Sequence, residues 1–155
     1  MEAADPFIFV KSLQPALTTT QARRLSTLFE TESKMCGIDW RILVSISFHE
    51  SSLGLHRVNK ASKDYGLMQI NHRNISRYGF TPERVTKDDA LSIRIACDIL
   101  AKNRARYRAA VPYWIGLYRS GLNLKSKVIV QNAKSYDSIV RKTMREAYGK
   151  DNKRK

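Results

Sequence analysis

Residues 38–50 read Ile, Asp, Trp, Arg, Ile, Leu, Val, Ser, Ile, Ser, Phe, His and Glu, and the helix they predict carries apolar side chains on nearly every face. A helix that is apolar all round does not sit at a surface, so it must be the buried centre of the fold. Asp39 is placed to cap its N-terminus, with Trp40 in the first turn, and Gly54 suits a left-handed stop. Leu43, Ile46 and Glu50 share one face at i, i+3, i+7 spacing, which carries a carboxylate into the last turn of a core helix. Desolvation and the negative end of the helix dipole both disfavour its ionised form. A carboxyl group held protonated near neutral pH is what general acid catalysis requires. The plainer alternative is a helix-end glutamate in water.

The rest of the chain reads as helices around that one, giving an all-α fold. With 155 residues, 43% of them hydrophobic, the chain is expected to form one domain over residues 1–155, with a core of about 20–148 and a basic tail at 149–155. Residues 7–17 predict one or two helical turns. Thr18, Thr19 and Thr20 offer caps for a stripe of Ala22, Leu25, Leu28, Phe29 and Met35, ended by Gly37. Residues 55–63 read as a loop, and Leu67, Met68, Gln69 and Ile70 as the opening of a short helix. A turn follows at 74–80, and Pro82 takes the first position of the next helix. Asp88 and Asp89 begin a long helix with Leu91, Ile95, Ala96, Ile99 and Leu100 inward, broken at Pro112. In the last helix, about 127–148, Ile129, Ala133, Tyr136, Val140, Met144 and Ala147 hold a clear helical face.

Several chemistries find no support. His49, His56 and His72 have no metal-ligand spacing, and no metal or cofactor is expected. Cys36 and Cys97 each sit in an apolar helical setting and read as buried, reduced thiols. No run is long enough to span a membrane. The start of the chain has acids and no basic region, so no signal peptide is expected. The chain is then expected to stay in the cytoplasm unless something releases it.

Glu50 and Ser51, followed by Gly66, Leu67, Met68, Gln69, Ile70 and Asn71, resemble the soluble lytic transglycosylase family, which shares its fold with goose-type lysozymes. The preceding Ser62, Lys63, Asp64 and Tyr65 are similar to its small phage and secretion-system members. The resemblance implies a lysozyme-like helical domain with a groove. It also implies cleavage of peptidoglycan between N-acetylmuramic acid and N-acetylglucosamine, with a 1,6-anhydromuramoyl product. Glu50 would be the catalytic acid and then base. Ser51, Met68, Gln69, Tyr118 and Tyr136 would bind substrate or surround the acid, Tyr136 reaching towards it. Arg119 stands where the family pattern has asparagine. Asp64 is the candidate for a second carboxylate. If it faced Glu50 across the sugar, it would make the chain a hydrolytic, goose-type lysozyme.

Twenty-eight basic residues against fourteen acidic ones give a net charge of +14, which points to a polyanionic partner. A helical nucleic-acid-binding domain is one class that fits. No nucleic-acid motif is present, and the basic residues are spread over loops and helix ends. Peptidoglycan and anionic wall or outer-membrane polymers are therefore the expected partners of a monomer.

Overall fold

A computed structural model describes residues 4–152, with side chains through Ala147. It shows eight helices among these residues: α1 Pro6–Leu13, α2 Thr19–Cys36, α3 Trp40–Ser51, α4 His72–Arg77, α5 Pro82–Lys87, α6 Asp89–Tyr107, α7 Leu117–Ser120 and α8 Lys127–Asn152. The fold is the expected all-α, lysozyme-like one. The helix read first is the central one: α3 touches α1, α2, α6 and α8. Its Leu43, Val44 and Ile46 are fully buried.

Local chemistry sets most of the boundaries. Thr18 and Gln21 form a reciprocal capping box at the start of α2, and Gly37 ends it in the left-handed region. The Asp39 carboxylate accepts the Arg41 N–H at the start of α3. Thr81 and Pro82 open α5, and Asp88 caps α6 through the Leu91 N–H. α3 stops at Ser51, with the left-handed turn taken by Ser52, Leu53 and Gly54 together.

Other boundaries differ from expectation. Met35 is 72% exposed, not core. Glu32 turns inward on α2 instead, 4% exposed, because Arg94 of α6 pairs with its carboxylate at 2.9 Å. The segment expected to open a helix at Leu67 is a turn leading into a strand. β1 Val58–Asn59, β2 Asp64–Tyr65 and β3 Ile70–Asn71 form a small antiparallel sheet in the order β1-β2-β3, with Asp64 opposite both Asn59 and Asn71. A helix, α4, occupies much of the expected turn after it. α6 ends at Tyr107, ahead of Pro112, and α8 runs on to Asn152 through the start of the expected tail. Residues 1–3 and 153–155 lie outside the described residues.

Cys36 and Cys97 were expected to be free thiols. They are instead disulfide-bonded, with 6.0 Å between their Cα atoms, and tie the end of α2 to α6. Their 61-residue separation hides the pairing from local sequence. Asp89, read from the sequence only as part of the start of a long helix, is buried. It receives Arg24 from α2 and Arg57 from the loop after α3, and these charges hold its carboxyl below the usual carboxylate range against the opposing effect of burial.

Candidate active site

The segment 66–71 is held from several sides. A Cβ at Gly66, whose φ is +84°, would meet the Val85 carbonyl oxygen at 2.7 Å, so only glycine fits. Ser47 and Ser51 on α3 both donate to the Leu67 carbonyl, at 3.0 and 2.6 Å. The Met68 N–H donates to Ser92 of α6, and the Met68 carbonyl accepts the Tyr118 hydroxyl at 2.7 Å. Gln69, itself left-handed at φ 50°, donates its side-chain amide to the Arg57 and Gly66 carbonyls. Asn71 caps α4 and donates to Asp64 at 2.9 Å.

These contacts correct two expectations. Ser51 and Met68 were expected at the sugar sites. They are 1% and 0% exposed, and neither lines the groove. The Ser51 hydroxyl also accepts the Gly54 N–H, so it joins the end of α3 to the 66–71 turn. Ser51 and Met68 shape the groove wall from behind.

The groove itself has a volume of about 880 Å³. Glu50, Asp64, Gln69 and Tyr118 line it, with flanking residues from α4, α6 and α7. A smaller hollow of about 360 Å³ lies against α8. Its one acid, Asp137, is already bound by the Ile115 and Gly116 N–H groups and by Arg141. The larger groove is therefore the one that offers reactive chemistry.

Glu50 is half-buried on the groove wall, and the Tyr136 hydroxyl of α8 donates to its Oε1 at 2.7 Å. Burial is the largest influence on Glu50 and pushes its carboxyl above the ordinary glutamate value. The Tyr136 hydrogen bond and the Arg119 charge oppose that, and the Asp64 charge adds to it. Burial first, then the Glu50 charge, drive Tyr136 far above the ordinary phenol value, so it stays a donor. Tyr118 is raised well above its ordinary value for the same two reasons. His49, adjacent in sequence, bonds Thr143 of α8 at 2.7 Å.

Arg119 was not a candidate. Its guanidinium lies 5.2 Å from the centre of the Tyr136 ring, and it lines the groove. The one signal in the sequence was its departure from the asparagine of the resembled motif. α7, which carries Tyr118 and Arg119, is packed against α8 by Gly116, where an added Cβ would overlap the Ala133 carbonyl. Gly116→Ala is expected to lower stability by about 2 kcal/mol or more, since the two backbones must part. It should also cut activity by moving Tyr118 away from the Met68 carbonyl. Urea unfolding and a wall-clearing assay read the two effects.

Among the described residues no group of His, Cys, Asp or Glu is arranged to hold a metal ion, and no helix is long and apolar enough to cross a membrane. A model of the transglycosylase SLT domain family matches residues 27–140, most of the chain and all of the groove. Neither the curated proteins nor the solved structures contain a match.

Proposed function

Because the chain belongs to the transglycosylase SLT domain family, whose members act on the peptidoglycan of the bacterial cell wall, we propose that it cleaves the β-1,4 bond between N-acetylmuramic acid and N-acetylglucosamine, with Glu50 as sole acid and base. The observation that carries this reading is a poorly hydrated carboxyl in the groove wall, with one oxygen held by Tyr136.

The chemistry balances on that one group. Protonated Glu50 gives its proton to the glycosidic oxygen as the C1–O bond breaks. The resulting carboxylate takes the proton of the muramoyl C6 hydroxyl as that oxygen bonds to C1. Glu50 ends protonated, no water is consumed, and the product is a 1,6-anhydro sugar. Attack from within the same sugar has a high effective molarity over water. The two steps ask opposite things of Glu50, and its surroundings supply both. Burial favours the acid form, while Tyr136 and Arg119 steady the carboxylate. Gln69 and Tyr118 are proposed to contact the sugars. Digestion of purified wall sacculi with mass analysis tests the proposal: products one water lighter than hydrolytic fragments are expected. Products of hydrolytic mass would assign the reaction to water, with Asp64, which lines the same groove, as its base.

Tyr136→Phe removes an influence that lowers the Glu50 pKa, and leaves burial unopposed on that side. The high-pH limb of the activity profile, where Glu50 loses the proton it must donate, is then expected to move to higher pH. The rate at the optimum should fall roughly ten- to hundred-fold, the worth of one hydrogen bond to a charged group. A pH–rate profile of both proteins checks the shift.

The 155-residue chain is proposed to act as one domain and as a monomer in phage lysis or wall penetration. A disulfide between Cys36 and Cys97 suits work outside the reducing cytoplasm.

A further inference from the structure

The groove continues along two walls whose side chains are cationic. α4 contributes Arg73 and Arg77, one turn apart, and α6 contributes Lys102 and Arg106, also one turn apart, with Asn103 between them. The Tyr78 hydroxyl at the end of α4 bonds Asp98 of α6, which fixes the spacing of the walls. Asp98 also takes Lys102. Among the described residues Arg73, Arg77 and Arg106 have no carboxylate partner. Asn103 is only 6% exposed, yet its Nδ2 amide has no acceptor. A buried donor left unsatisfied costs on the order of 1–3 kcal/mol, and facing like charges add repulsion. A ligand bringing both negative charge and acceptor oxygens would relieve both.

We propose that this part of the groove is a subsite for the peptide stems carried by the glycan strand. Arg73, Arg77 and Arg106 meet the stem carboxylates, and Asn103 donates to a stem carbonyl or carboxylate oxygen. The proposal rests on the wall-cleaving reading and adds that the preferred substrate is a peptide-substituted strand. A stripped strand keeps one lactyl carboxylate on each muramic acid, held close to the ring, whereas a stem carries several carboxylates outward to three guanidinium groups that have no carboxylate partner among the described residues. A nucleic acid would bring similar charge and acceptor oxygens; the stems are favoured because this rim is continuous with the groove that holds Glu50, where the glycan strand bearing them would lie.

The test compares intact glycan strands with strands stripped of their peptides by an amidase, for the wild-type chain and for Arg73→Gln/Arg77→Gln. Both side chains are exposed, so the fold should tolerate the change, and thermal unfolding checks it. Wild-type kcat/KM is expected to favour intact strands by roughly tenfold, and the variant to bring that ratio close to one. The wild-type preference should weaken as salt rises. Equal rates on the two substrates, or a ratio unchanged in the variant, would overturn the proposal. An oligonucleotide that inhibits the wild type but not the variant, with the ratio unmoved, would give the rim to nucleic acid and overturn it too. Absence of anhydro product from either substrate is a different result, and counts against the cleavage reading itself.

Discussion

Glu50→Gln is expected to lower the rate of wall cleavage by at least about 10³-fold. A positioned general acid or base contributes roughly 10²–10⁴-fold, and here one group does both tasks, so the loss belongs at the upper end. The amide keeps the shape of the side chain and can still accept from Tyr136, so the fold should be unharmed. The effect on stability has a definite sign. Burial raises the Glu50 pKa above its ordinary value of 4.5. A carboxyl with a raised folded-state pKa binds its proton more tightly folded than unfolded. Stability relative to glutamine is therefore lost as pH climbs above the ordinary value and through the raised one. The variant should melt at the same or a higher temperature at pH 7, and the difference should vanish below the ordinary glutamate value. Thermal scans at the two pH values, beside a turbidity assay on cell walls, check both halves. Retained activity would remove Glu50 from the mechanism.

Loss of the Cys36–Cys97 bond is expected to cost about 4 kcal/mol, the loop-closure entropy of a cross-link spanning roughly sixty residues. The pair joins α2 to α6, and these helices hold much of the core against α3. Neither cysteine lines the groove, so Cys36→Ser/Cys97→Ser should still cut walls at room temperature. Urea unfolding with and without dithiothreitol reads the effect. The midpoint should drop under reductant in the wild type and stay fixed in the double variant. A wild-type midpoint indifferent to reductant would mean the thiols are unpaired in solution.

Where structure follows from neighbours a few residues apart, the sequence was readable. Asp39 caps α3, Thr18, one of the three threonines offered, caps α2, and Pro82 opens α5, each through contacts within one turn. The central position of α3 follows from its apolar circumference, and Glu50 then reaches a wall rather than open water. What escaped depends on distant partners. Glu32 rather than Met35 turns inward because of Arg94, 62 residues away. Ser51 and Met68 belong to the resembled motif, yet their contacts run to Leu67, Ser92 and Tyr118 rather than to the groove. Strands of two residues are too short for an alternating pattern to show, so the sheet presenting Asp64 was read as loop and helix. Arg119 stood out only as a mismatch, and its part emerged once Tyr136 lay beneath it.

The ring-closing step is tested most directly by digesting sacculi in water enriched with heavy oxygen. If the C6 hydroxyl attacks C1 and Glu50 only moves protons, the released anhydro ends carry none of the label. Heavy oxygen at C1 of the cleaved muramoyl ends would show that water made the attack, and would contradict a mechanism built on one carboxyl.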